Sequence, residues 1–416
     1  MRQVFGFVAV LSLLGACGPG PQLESPDASI DPGVDAGTTL DAGTTLDAGT
    51  TADAGTATDA GTTADAGTTA DAGTTADAGT TADAGTTADA GTTADAGFRL
   101  PACLGPSLPL QFAGQLPYVT VRIGSGAAAK TGAFLIDLAS TSSWIDLSAF
   151  PTAPTGTCGS SSCTYADFDY FGAWGSVTLS TADFSSFQGP PRQAGILGTD
   201  FLSLNPTTLD YRGHRVFSAT ASTFCTPTEL TAAGFGAVPS TGFYSTSLSS
   251  LLPLSTVITD GGVAGIKVPN VPTVRLRVAG VEALAQLDTG FDDAVVPRSI
   301  NINSAYLSAL NTQAPGALTR APTLDLTLTT CVGSAEPVTA WRVSAGYAVE
   351  FLGSNGVTVR AFADAVLFAK NTPPAARACG GIGTWSVPAA QVAGSFFVTS
   401  GAVVFDPVQS TVWLAR

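Results

Sequence analysis

Basic residues are scarce in this 416-residue chain, with 17 lysines and arginines against 32 aspartates and glutamates. They are scattered singly and form no stripe along a phosphate backbone, which argues against a nucleic-acid partner. Histidine occurs once, as His214 in the turn YRGHR, and reads as an exposed turn residue. After the N-terminus no segment is long and apolar enough to cross a bilayer. Long amphipathic helical patterns are scarce too. The chain is rich instead in short runs of Val, Thr and Phe separated by Gly, Pro and Asn, which is the texture of an all-β protein.

The first residues, MRQVFGFVAVLSLLGAC, have the form of an export signal. Arg2 is a short basic region, Val4 to Leu14 an apolar stretch too short to span, and small residues precede Cys17. Leu14-Gly15-Ala16-Cys17 looks like a bacterial lipobox, so 1–16 is expected to be removed and Cys17 to carry lipid. Gly18, where an aspartate would signal otherwise, favours the outer membrane of a bacterial envelope by resemblance to lipoprotein sorting. From Asp35 to Gly97 the unit DAGTTx repeats with a period of six, and aspartate recurs eleven times without a recurring apolar position. Such a segment has nothing to build a core, and 17–97 is expected to be a disordered, hydrated spacer. The acidity belongs to it: residues 98–416 hold 18 acidic and 16 basic residues and are near neutral.

The remainder, about 320 residues, is enough for a large core and two lobes. Strand patterns fall at 118–123, 132–138, 175–184, 273–280, 323–331, 358–368 and 402–406, with short helix candidates around 298–310 and 388–392. Six cysteines remain after Cys17, which in an exported protein suggests three disulfides. Cys158 and Cys163 bracket the loop CGSSSC, Cys331 and Cys379 fall in the C-terminal half, and Cys103 and Cys225 then pair by elimination. The chain also repeats itself. FLIDLASTSSWID around Asp137 is matched by AQLDTGFDDAVVP around Asp288, and LDYRGHRVF by VFDPVQSTVWLA. Two related lobes follow, 98–225 and 226–416, in which equivalent parts approach across a pseudo-twofold axis.

These motifs resemble those of the pepsin-like aspartic proteases over most of 110–416. The family pattern Asp-Thr-Gly-Ser-Ser-x-x-Trp-Val overlays Asp137-Leu138-Ala139-Ser140-Thr141-Ser142-Ser143-Trp144-Ile145 without a gap, and the second catalytic motif overlays Asp288-Thr289-Gly290. The apolar-apolar-Gly elements overlay Ile196-Leu197-Gly198 and Val392-Ala393-Gly394. The resemblance implies a bilobal, all-β acid protease fold, and Cys158–Cys163 and Cys331–Cys379 resemble two of the family's disulfides. Only 58 residues separate Asp137 from Gly195, so the N-terminal lobe is expected to be shortened. By the same resemblance Asp137 and Asp288 are the catalytic pair, Ser140 hydrogen-bonds the first carboxylate, and Thr289 and Gly290 support the second. A flap tyrosine is assigned to Tyr170 within FDYFGAWGSVTLS, with Tyr165 and Trp174 as rivals. Two carboxyls held together cannot both ionise cheaply, so they share a proton and activate a water without metal, cofactor or nucleophilic side chain.

Three residues depart from the family pattern. Leu138 replaces one of two threonines that cross-brace the active-site turns, which is expected to leave Thr289 short of partners at a cost of about 1–3 kcal/mol if buried. Ala139 replaces a glycine, and Phe291 replaces the Ser or Thr that would hold Asp288. Asp292 and Asp293 read as solvated turn residues. The leading reading is a surface-anchored, monomeric acid endopeptidase acting on extended polypeptide. The alternative is a catalytically inactive pepsin-like domain that binds a peptide, protein or glycan. The acidic, repetitive segment before the domain is unlike the basic propeptide usual in the family.

Overall fold

The computed structural model describes residues 100–416 except 173, 188, 244–254, 259–265, 292–295, 331 and 380, with backbone alone at 255–258, 266–269, 378 and 379. The export signal, Cys17, the repeat spacer, Asp292, Asp293 and the Cys331–Cys379 pairing lie outside the described residues. Among the described residues no helix is long and apolar enough to cross a membrane.

The protein is all-β, and its architecture follows from strands that alternate or are buried on both faces. In the N-terminal part β1 (Leu116–Ile123), β2 (Lys130–Ile136), β3 (Trp144–Ile145), β4 (Ser162–Tyr165), β5 (Phe168–Asp169), β6 (Val177–Thr181) and β7 (Gln193–Leu197) form one sheet system. In the C-terminal part β8 (Thr273–Val278), β9 (Val281–Leu287), β10 (Ser299–Ile302), β11 (Ala335–Val343), β12 (Val349–Leu352), β13 (Val366–Lys370) and β14 (Ala389–Val392) repeat it. The repetition extends to the pairings. β1–β2 is antiparallel, β2–β7 parallel, β3–β7 antiparallel, β3–β6 parallel, β4–β6 antiparallel and β1–β5 antiparallel. Every one recurs, in the same sense, between the counterparts among β8–β14. Parallel neighbours need a crossover connection, and here each crossover places the central strand, β7 or β14, beside the strand that ends in an aspartate.

A six-stranded antiparallel sheet joins the two halves, in the order Ser107–Ala113, Arg215–Ser218, Thr207–Asp210, Ala402–Asp406, Thr411–Ala415, Phe235–Thr241. The matched segments LDYRGHRVF and VFDPVQSTVWLA are its two central hairpins, paired through Thr207–Asp210 and Ala402–Asp406. Their alternating Val, Leu and Phe side chains belong to one large core with Phe134, Leu179, Leu276 and Phe396. At the outer end of this sheet Cys103 is bonded to Cys225, with Cα atoms 4.9 Å apart. Cys158 and Cys163 close their short loop, with Cα atoms 4.0 Å apart.

Several sequence expectations are corrected. Residues 388–392 are not a helix: Ala389–Val392 is strand β14, buried along its whole length and paired on both sides. Alanine's helix propensity is overridden by burial on both faces, a condition that leaves no amphipathic signal. The candidate around 298–310 divides into β10 and α1 (Ser304–Gln313), with the Asn303 side chain accepting from the Tyr306 amide at the boundary. The run 358–368 divides into Thr358–Phe362 and β13, with Asp364 at positive φ in the turn between them. Among the described residues of 323–331 the strand is Leu326–Thr329.

Candidate active site

The two aspartates leave equivalent strand ends. The Asp137 amide donates to the Leu197 carbonyl and the Asp288 amide to the Val392 carbonyl, both at 3.0 Å. Each turn then folds back on its own carboxylate: the Ala139 amide donates to Asp137 Oδ1 and the Gly290 amide to Asp288 Oδ1, both at 2.8 Å. The far side of each turn is closed by an amide from the segment after the central strand, Thr199 to the Ser140 carbonyl (2.8 Å) and Gly394 to the Phe291 carbonyl (3.0 Å). So placed, the two aspartates are 3% and 2% exposed, and the Asp137 carboxyl lies against the second turn at Gly290.

Thr289 crosses between the turns. Its hydroxyl donates to the Ile136 carbonyl (2.6 Å) and accepts from the Leu138 amide (3.0 Å). The expected shortage of partners at Thr289 is therefore corrected, because both bonds run to backbone groups and do not need a threonine at 138. Leu138 itself, fully buried, has no hydroxyl to return the brace. The cross-brace is one-sided. Gly290 sits directly on the opposite aspartate: a Cβ there would lie 2.7 Å from Asp137 Cγ. Its counterpart in the first turn is Ala139, which carries a methyl at the equivalent corner.

The apolar-apolar-Gly overlay is also corrected, by one residue. The carbonyl bonds to Asp137 and Asp288 make Val392 the counterpart of Leu197, and the turn-closing amides make Gly394 the counterpart of Thr199. Gly198 is required by space, since a Cβ would lie 2.6 Å from the Ser142 carbonyl oxygen and 2.7 Å from that of Ser140. Its true counterpart is Ala393, and a Cβ on Gly394 would meet nothing closer than 3.5 Å. The shift puts Gln391, rather than an apolar residue, beside the second aspartate. Gln391 Nε2 donates to Asp288 Oδ2 at 2.7 Å, and Asn301 Nδ2 donates to Gln391 Oε1 at 3.1 Å.

Burial dominates the electrostatics. It pushes the Asp137 carboxyl up to about 6, against the Ala139 and Ser140 amides and the hydrogen bond from Asp288. Asp288 is raised well above the usual carboxylate range, first by burial and then by the charge of Asp137, with the Gly290 amide and Lys370 pulling it down. The two carboxyls titrate as a pair whose two protons leave in separate steps, because the charge of one disfavours ionisation of the other.

The remaining assigned residues are placed as follows. Ser140 is buried, but its single hydroxyl hydrogen goes to the Ser142 carbonyl (2.7 Å), so its backbone rather than its side chain serves Asp137. Tyr170 is not at the tip of a free hairpin. Phe168–Asp169 pairs with β1 and Val177–Thr181 with β4, and Tyr170 between them is a core side chain, 3% exposed, against Phe171. Tyr165 is buried as well, and Trp174 Nε1 donates to the Tyr170 carbonyl. His214 is exposed, at positive φ. Among the described residues no group of three or more His, Cys, Asp and Glu side chains is arranged to hold a metal ion. Gln391 and Asn301 escaped the sequence reading. The available signal was a polar residue set between apolar neighbours in each of two strands, Gln391 in AAQV and Asn301 in SINI, because buried polar groups require partners.

No family model matches the sequence, and no curated protein matches it. Among solved structures the chain is similar to basic 7S globulin from soybean, at 12% identity and a TM-score of 0.35 over 74% of this chain and 94% of that one. It is similar also to EDGP, at 11% identity and a TM-score of 0.35 over 76% of this chain and 96% of that one.

Proposed function

We propose that this chain is an aspartic-type endopeptidase of the pepsin-like kind, hydrolysing polypeptide with a water activated between Asp137 and Asp288. The observation that carries the reading is that two buried aspartates rise from equivalent strand ends on interlocked turns, with the Thr289 hydroxyl bonded to the Ile136 carbonyl and the Leu138 amide and Gly290 lying against the Asp137 carboxyl. In this reading Asp137, the first to ionise, takes a proton from the water as the water oxygen bonds to the scissile carbonyl carbon. Asp288, still protonated, donates to the carbonyl oxygen as negative charge grows there. The C–N bond then breaks, the proton taken by Asp137 passes to the leaving amine, and the carbonyl re-forms as its hydroxyl proton returns to Asp288. The site needs donors fixed before the reaction, and the Ala139 and Gly290 amides supply them on both sides.

A second reading is favoured by the one-sided brace at Leu138: a catalytically inactive domain that binds a peptide, protein or glycan between its lobes. Displacement of a reacting group by ~1 Å costs about a hundredfold in rate, so turns braced from one side only can lose the chemistry and keep the fold. The two are separated by incubating the purified full chain with a denatured protein from about pH 3 to about pH 8, beside Asp288→Asn. Cleavage that disappears in the variant supports the endopeptidase. Equal absence of cleavage in both folded proteins leaves the binding domain.

The same proposal tethers the protein as a monomer, by lipid on Cys17, to a bacterial outer membrane, with 17–97 as the spacer. Fatty-acid label incorporated by the intact chain and lost in Cys17→Ser supports the tether, and equal labelling rejects it.

A further inference from the structure

Phe291 has no side-chain hydrogen bond to offer Asp288, and the Asp288 carboxyl is buried with several acceptor sites to satisfy. One oxygen is served by the Gly290 amide. The other is served from a different element altogether, strand β14, by Gln391 Nε2 at 2.7 Å. Asn301 on the adjacent strand β10 stands opposite Gln391 in register and donates to its Oε1 at 3.1 Å. With its oxygen engaged, the carboxamide presents its amino end to Asp288, which is the end a carboxylate can accept from. All three side chains are buried. In the N-terminal half the same two positions, paired in the same way, are Ile196 and Trp144. The chain Asn301→Gln391→Asp288 is therefore specific to one aspartate.

We propose that Gln391, oriented by Asn301, is a positioning residue of this site: its carboxamide holds Asp288 from the neighbouring strand and fixes the second carboxyl against the first. The catalytic consequence rests on the endopeptidase reading, whereas the effect on Asp288 does not. Among the described residues the charged groups that act on Asp288 are Asp137 and Lys370, and Lys370 is itself paired with buried Glu336 at 3.4 Å, to which Thr372 also donates. None of these is on β14, so a substitution at 391 removes one donor and leaves the surrounding charges in place.

The test is a pair of variants of the full chain, Gln391→Leu and Asn301→Ala, read in two ways. Leucine is close in size to glutamine and reproduces the apolar character of Ile196. A lost donor to the charged form moves the Asp288 titration, followed by carbon NMR of labelled aspartate and assigned with Asp288→Asn, upward by about one unit, or tenfold in proton affinity. Asn301→Ala, which leaves the carboxamide in place but unoriented, moves it in the same direction by less. If the enzyme cleaves protein, Gln391→Leu lowers kcat at least about tenfold with KM little changed, the pattern of a group needed in the transition state. An unmoved Asp288 titration in folded Gln391→Leu overturns the proposal, and where that variant does not fold an unmoved titration in Asn301→Ala does so. Titration that moves in a protein without peptidase activity sustains the positioning role and rejects the endopeptidase reading instead.

Discussion

Replacing Asp137 by asparagine is expected to stabilise the protein at neutral pH, because the native carboxyl is held where its charge is unwelcome. Asn is nearly isosteric, and its Oδ1 still accepts from the Ala139 amide. Burial raises the folded-state pKa of Asp137 from 3.8 to about 6. A raised folded pKa means that the native state binds the proton more tightly than the unfolded chain. The associated stability is complete below about pH 4 and is lost as pH rises through about 6. A difference of about two units at 1.36 kcal/mol each corresponds to ~3 kcal/mol. Urea unfolding of both proteins, disulfides intact, at intervals from about pH 4 to about pH 7 measures it; the difference between them cancels the titration of carboxylates common to both, apart from Asp288, whose titration is followed separately because it loses the charge of Asp137 in the variant. The asparagine variant is expected to gain ~3 kcal/mol on the wild type across that window. A difference that stays flat would refute the reasoning, since it would mean that Asp137 is as well solvated folded as unfolded.

Cleavage of denatured protein is expected to rise with pH through a limb centred on about 6, where Asp137 ionises, so that the working range lies nearer neutrality than an acid optimum; full activity at about pH 3 would contradict this. Leu138→Thr restores a hydroxyl to return the brace and is expected to raise kcat and, by about 1 kcal/mol, stability; a loss of both would show that the cavity left by the buried leucine side chain outweighs the new hydrogen bond. Gly290→Ala places a Cβ 2.7 Å from Asp137 Cγ and is expected to cost about 1–3 kcal/mol and most of the activity, whereas Gly394→Ala, with nothing closer than 3.5 Å, is expected to be tolerated in a thermal melt. Equal effects of Gly394→Ala and Gly198→Ala, whose Cβ would lie 2.6 Å from the Ser142 carbonyl oxygen, would contradict the one-residue offset between the halves.

How much of this was legible beforehand depended on whether a signal was local. The alternation in YVTVRI and TVRLRVAG marked β1 and β8 because one face of each strand meets the core and the other faces a less buried environment. Ala389–Val392 lacked such a signal, being buried on both faces. Its alanines favour a helix in isolation, and only pairing with β9 and β10 makes them a strand. Tyr170 looked like a flap residue because apolar–glycine–apolar patterns also describe a hairpin. The sheet contacts on either side of it decided otherwise.

The candidate site divides in the same way. Residue identity and order alone determined the two aspartates after apolar strands, the repetition between halves and the departures at Leu138, Ala139 and Phe291. Tertiary structure alone decided that Thr289 satisfies both of its bonds on backbone groups and that Ser140 turns its hydroxyl to Ser142. It decided too that Val392, not Ala393, answers Leu197, and hence that Gln391 reaches Asp288. The physical reason is register. A strand's side chains alternate between faces, so a one-residue offset between distant strands exchanges which residue meets the aspartate, and no local pattern records that offset.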